Sequence, residues 1–180
     1  DGEPFESSPE YILRKAHRAF QESTGLQMET MGELEYYIIA DDEEIYPVPD
    51  QKGYHESRPF NKFTDYRVEA MRLIAQAGGM IKYGHSEVGN FTLDGKIYEQ
   101  NEIEFLPTNI EDAADQLVIA KWIMRQLAYE YGVTLTFAPK ITVGKAGSGM
   151  HVHCKFTKDG KSVMIENGEL TDVCKKAIAG

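Results

Sequence analysis

Cysteine is scarce in this chain. Cys154 and Cys174 are the two present, too few for a disulfide framework, which together with the lack of a secretory signal suggests a reducing cytosol. Cys154 follows His153 directly, so it is expected to turn to the opposite strand face and pack as a small hydrophobe. Long apolar runs are lacking, so no segment reads as a membrane span. No basic stretch leads into an apolar block as a secretory signal would. Positive charge is in deficit: 19 Lys and Arg face 29 Asp and Glu, for a net charge of -10. That balance disfavours nucleic acid and anionic membranes as partners. It suits divalent cations, which clustered carboxylates concentrate, and it also serves plain solubility. An initiator Met is missing at Asp1, and Gly180 closely follows an amphipathic stretch at 170–179. Both ends therefore read as cuts in a longer protein.

What is present is ordinary for one globular domain: 180 residues, 42% apolar and 27% charged. Ser7-Ser8-Pro9-Glu10 reads as a helix start, with apolar spacing continuing to about Ser23 and a stop at Gly25. Residues 28–40 read as a strand and 65–77 as a second amphipathic helix. The polar connection at 41–63 is of a length that is functional or disordered. Residues 80–85 read as a short strand, and Leu93-Asp94-Gly95 as a hairpin turn. A strand is expected at 97–106. A long helix capped by Asn109 follows over 110–131, then a strand at 133–137. A glycine loop at 144–149 leads into a strand reaching about Phe156, and a last helix begins at Leu170. Strands and long helices mix without strict alternation, which predicts an α+β fold with a largely antiparallel sheet and packed helices.

Several residues here can do chemistry. Glu33 and Glu35 alternate on one strand, as do Glu102 and Glu104, so each pair shares a face. Taken singly, each pair reads as a solvated strand face. About 7 Å separates alternate side chains, which suits two neighbouring ions better than one. Glu87 is expected where a strand becomes a loop, a usual place for ligands. His151 and His153 also share a face, next to Gly147 and Gly149 in a loop whose N–H groups can approach an anion. A donor set dominated by carboxylates favours Mg2+ or Mn2+ over zinc.

Five ordered stretches make the chain resemble the glutamine synthetase family. They are Ser8-Pro9-Glu10-Tyr11-Ile12-Leu13, Gly32-Glu33-Leu34-Glu35-Tyr36, His85-Ser86-Glu87-Val88 and Gln100-Asn101-Glu102-Ile103. The fifth runs from Phe137-Ala138-Pro139-Lys140 to Gly147-Ser148-Gly149-Met150-His151-Val152-His153. The resemblance implies that residues 1–180 are a partial catalytic domain, with the glutamine synthetase/guanidino kinase-like core. It implies two divalent ions. Glu35, Glu87 and Glu102 would hold one and act catalytically. Glu33 and His151 would hold the other, with a further ligand beyond this chain. His153 would contact ATP, and Gly147 would help to hold the amino acid. Glu104 matches no ligand position and is expected to be structural.

The implied reaction is ATP-dependent ligation of ammonia to the γ-carboxylate of glutamate, through a γ-glutamyl phosphate. The implied partners are glutamate, ammonia and ATP, with a homo-oligomeric ring for the full-length protein. Three departures stand out. Ala146 occupies the place of an Asn that ordinarily helps to hold glutamate. Lys155 stands near the nucleotide where a small hydroxyl residue is common. Residues 89–99 form a longer link than usual. They leave open a γ-glutamyl ligase acting on another amine, or a silent nucleotide-binding paralogue. With the family's N-terminal β-domain and later catalytic residues missing, the chain alone is expected to be inactive.

Overall fold

The computed structural model describes residues 2–180. Helix α1 (Pro9–Thr24) starts at Ser8, whose hydroxyl accepts the Tyr11 N–H at 3.1 Å, and ends at Gly25 with φ 68°. Strand β1 (Gln27–Asp41), helix α2 (Thr64–Gln76), strand β2 (Ile81–Leu93) and strand β3 (Lys96–Phe105) follow. After the short β4 (Thr108–Asn109), α3 (Ile110–Glu130) begins. Asn109 Oδ1 accepts the Glu111 and Asp112 N–H groups there, so it is the expected cap. Then come β5 (Thr134–Thr136), β6 (Met150–Lys158), the two-residue strands β7 (Lys161–Ser162), β8 (Ile165–Glu166) and β9 (Glu169–Leu170), and α4 (Asp172–Ala179). The fold is α+β with a largely antiparallel sheet, as the sequence predicts. The hydrogen-bonded order of that sheet is β2-β3-β1-β6-β7, with β4 and β5 also paired to β1.

The chain divides into two compact units, and β1, α3 and β6 each run from one into the other. One unit comprises the chain up to Met31, Pro107–Asp115 and His153–Gly180. It holds α1, α4 and β7, with Phe20 packed on Phe156 at 5.4 Å between ring centres. Within it, His17 Nδ1 meets Glu111 at 2.8 Å. The other unit comprises Gly32–Leu106 and Gln116–Val152. Its core lies on one sheet face. Leu34, Tyr36 and Ile38 of β1 and Ile103 and Phe105 of β3 pack with Tyr66 and Ile74 of α2 and Met124 and Leu127 of α3. Each such aliphatic side chain, once buried, contributes about 1.5–3 kcal/mol. Tyr66 pins the two helices by donating its hydroxyl to the Met124 carbonyl at 2.6 Å.

Two local readings need correction. β2 is one strand from Ile81 to Leu93, not a short strand ending at His85, because its backbone stays paired to β3 around an irregularity between Ser86 and Asn90. Beyond Asp41, which ends β1, the connection at 42–63 is irregular as expected, and part of it laces the free edge of β2. Gln51, Gly53 and His55 donate their N–H groups to the carbonyls of Asn90, Val88 and Ser86. Such an edge otherwise leaves its backbone groups unpaired. Cys154 is exposed. β6 is exposed on both faces from Met150 to Cys154.

Candidate metal and catalytic centre

Sheet register builds the site, on the face opposite the core. β1 and β3 pair Glu33 with Glu104 and Glu35 with Glu102. β3 and β2 pair Glu104 with Tyr83 and Glu102 with His85. Directly opposed residues share a face, as do alternate ones. Four carboxylates, an imidazole and a phenol therefore form a two-row grid across three strands. Glu87 follows in the irregularity of β2, where three residues stand opposite Gln100 alone. His151 arrives at the start of β6. Its Nδ1 lies 3.0 Å from Glu33 Oε2 and 3.6 Å from Glu35 Oε1. Ligand atoms of Glu33, Glu102 and His151 all lie within 4.8 Å of one another, as do those of His85, Glu102 and Glu104.

The electrostatics of this face are unfavourable without positive charge. Glu35, Glu102 and Glu104 are all buried. Burial, then the neighbouring Glu35, Glu87, Glu33 and Glu104, push the Glu102 carboxyl up to about 8. Burial also raises Glu35, with Glu87 and Glu33 adding to it, while the Gly149 N–H and His151 pull it back. Glu104 is the exception. Burial pushes it up, but bonds from Lys82 Nζ at 2.7 Å and from Tyr83 leave it below the usual carboxylate range. It already has its counter-charge in Lys82.

His85 is held on all sides. His55 stacks on it at 4.5 Å and Tyr83 at 5.3 Å between ring centres. Its Nδ1 lies 3.0 Å from the Ser86 carbonyl, which can only accept, so Nδ1 carries hydrogen. Its Nε2 faces Glu102 Oε2 at 2.9 Å.

The glycine loop closes over the same region. The Ala146 N–H donates to Gln51 Oε1 at 2.6 Å, and its carbonyl accepts from Tyr37 Oη at 2.8 Å. Gln100 Nε2 donates to the Gly147 carbonyl at 2.9 Å. At Gly149 a Cβ would stand 2.9 Å from His151 Nε2 and 3.1 Å from Glu35 Oε1. A side chain there would crowd two candidate ligands at once.

The sequence profile described as "Glutamine synthetase, catalytic domain" matches residues 6–180. The chain belongs to the glutamine synthetase family. It is 30% identical to a glutamine synthetase of Methanosarcina mazei over 181 residues, covering 99% of this chain and 38% of that protein. It is 29% identical to one from Clostridium saccharobutylicum, covering 100% of this chain and 40% of the relative. The chain thus spans about two fifths of the length of these curated relatives. Among solved structures, Plasmodium falciparum glutamine synthetase superposes with a TM-score of 0.79 at 21% identity, covering 92% of this chain and 37% of that one. This likeness is one of fold.

Glu33, Glu35, Glu87, Glu102 and His151, expected as ligands from the glutamine synthetase resemblance, lie in one unit and act on one another's charge. Ala146 and Gly147 lie in the loop beside them. His153 and Lys155 belong to the other unit. There Lys155 Nζ pairs with Glu29 at 2.8 Å, so its charge is already engaged. Sequence reasoning missed His85, Lys82, Tyr83 and Gln100 as parts of the centre. The alternation of Tyr83 and His85 opposite Glu104 and Glu102 was the available signal. Among the described residues, no helix is long and apolar enough to cross a membrane.

Proposed function

We propose that this chain supplies the cation centre and amino-acid loop of a glutamine synthetase, an ATP-dependent glutamate–ammonia ligase. The observation that carries this reading is the convergence of Glu33, Glu35, Glu87, Glu102 and His151 around a carboxyl raised to about 8. Four carboxylates and one imidazole form a hard, oxygen-rich donor set, which fits Mg2+ or Mn2+. Glu35, Glu87 and Glu102 would hold one ion, and Glu33 and His151 the other. When bound, such ions supply positive charge against the phosphate oxygens of ATP during phosphoryl transfer.

The chain's own residues do the rest of this half-site. Acidic side chains at the centre attract ammonium by charge and favour it over neutral competitors. Ammonium must shed a proton before the resulting ammonia can attack, and a neighbouring carboxylate is suited to take it. The Gly147 carbonyl is an acceptor for the α-ammonium of glutamate. Ala146 brings only a methyl group, because both its backbone groups are engaged by Gln51 and Tyr37. Residues 1–180 are read as a partial catalytic domain, with the remaining ligand and the phosphate-binding cations supplied by sequence outside it. His153 would reach ATP. In this reading the parent protein is a cytoplasmic homo-oligomer, and the chain alone makes no glutamine.

Titration of the chain with Mn2+, followed by electron paramagnetic resonance, tests the proposal. Two sites are expected, with loss of one in Glu102→Gln. No Mn2+ binding by the wild-type chain would sink the reading. So would glutamine formation by a parent protein carrying both Glu35→Gln and Glu102→Gln.

A further inference from the structure

We infer that Gln100 is a positioning residue that couples the cation centre to the glycine loop. The inference rests on the reading above, in which Glu35 holds a cation and Gly147 belongs to the substrate loop. The Gln100 side chain is 1% exposed and its primary amide is fully committed. Its Oε1 accepts the Gly89 N–H at 2.9 Å. That bond fixes which way the amide faces, because the oxygen cannot donate. Nε2 must then face Glu35 Oε2 at 2.8 Å and the Gly147 carbonyl at 2.9 Å, with Ser148 Oγ at 3.3 Å. The amide's two N–H bonds thus fall on one carboxylate of the centre and one carbonyl of the loop. Gly89 belongs to the same irregularity of β2 that carries Glu87.

One planar group therefore touches three elements: β1 through Glu35, β2 beside Glu87, and the loop through Gly147. Planarity is what makes it a coupler. A cation that fixes the Glu35 carboxylate in this orientation holds Nε2 on Oε2, and through the planar amide it holds the Gly147 and Gly89 bonds as well. Conversely, an ordered loop holds Nε2 in place and selects one orientation of the Glu35 carboxylate. Cation binding and loop order then favour each other by the same factor. Low local dielectric strengthens such a chain of bonds.

Amide hydrogen exchange followed by NMR, with Mg2+ as the probe, tests this on the chain itself. The reporters are the Gly89 N–H, bonded to Gln100, and the Ser148 N–H, bonded to the Pro139 carbonyl. Calorimetry establishes that Mg2+ is bound. In the wild type, saturating Mg2+ should slow exchange at both amides at least about fivefold, the low end of ordinary coupling between sites. In Gln100→Glu, which keeps the acceptor for Gly89 but loses both donors, Mg2+ should still bind and the slowing should vanish. Glu35→Gln gives a second arm that needs no change at Gln100. In that variant, Mg2+ held at the other position by Glu33 and His151 should leave both amides unaffected. A merely structural Gln100 would lower stability and leave the Mg2+ effect intact. Slowing that survives in either folded variant, or that is missing from the Mg2+-bound wild type, overturns the coupling. Failure of the wild type to bind Mg2+ overturns the cation centre itself, and the coupling with it.

Discussion

His85 Nε2 and Glu102 Oε2 lie 2.9 Å apart on directly opposed residues of β2 and β3. The Glu102 carboxyl, pushed up to about 8 by burial and its acidic neighbours, keeps its proton at neutral pH, and a cation taken by Glu102 would displace that proton. Metal ligands must be deprotonated, so binding releases protons. Calorimetric titration with Mg2+ near neutral pH, in buffers of different ionisation enthalpy, should report release of about one proton per chain. Release independent of Glu102, seen unchanged in Glu102→Gln, would contradict this.

The same carboxyl sets a pH dependence. Its folded value of about 8 stands above the ordinary 4.5. Between those values the folded chain holds a proton that the unfolded chain has lost. The stability from this group is full below about 4.5 and is lost as pH rises through about 8. Thermal midpoints in chelator should fall across that window, and saturating Mg2+ should flatten the fall. A midpoint that rises with pH in chelator would reverse the sign and refute the account.

Glu102→Gln should separate stability from binding. It removes one of several mutually repelling carboxylates, so the cation-free chain should melt higher at pH 8. Mg2+ affinity should drop by at least the roughly 10–100-fold typical of losing even an outer partner of a metal site. Lower stability together with unchanged affinity would show that Glu102 is merely a structural acid.

Gly89→Ala probes how tightly the irregularity of β2 is packed. A Cβ at this position would overlap Tyr37 Oη and approach Gln100 Oε1 to 2.5 Å. Overpacking of this kind costs about 1–3 kcal/mol. Urea denaturation should show that loss, and a variant as stable as wild type would mean that the irregularity is free to move.

Glu99 anchors the lacing segment from the core side of the sheet. It accepts from Asn61 Nδ2, Lys62 N and Phe63 N at 2.7, 2.7 and 3.1 Å. Glu99→Ala leaves those donors without an acceptor, at about 1–3 kcal/mol for each that water cannot reach. Exchange at the Gln51, Gly53 and His55 amides should accelerate with the loss. Unchanged exchange there would show that the edge contacts hold without Glu99.

Helices and turns were legible because their causes are local. Ser8, Gly25 and Asn109 act as caps through groups a few residues away. The hairpin turn is legible for the same reason, since Asp94 and Gly95 both adopt positive φ. The lacing of β2 by Gln51, Gly53 and His55 was not legible. Its edge bonds run from backbone N–H to backbone carbonyl across 31 to 39 residues, and the side chains that support them, Gln51 on Asn90 and His55 on His85, find their partners only once the strands are in place.

Glu87 and His85 show where the two kinds of information part. Counting back from the Leu93–Lys96 pair in an unbroken ladder sets Glu87 opposite Glu102 and His85 opposite Glu104. The observed pairing sets His85 opposite Glu102 and lifts Glu87 out of the ladder. A shift of two residues keeps every side chain on its own face, so alternation alone cannot reveal it. Sequence by itself determined which face of each strand carries acid and which carries the core, because that follows from a period of two. Tertiary structure alone decided which acids became neighbours and which stayed unneutralised. That depends on register, on one irregularity and on a distant loop, all set by packing between residues remote along the chain.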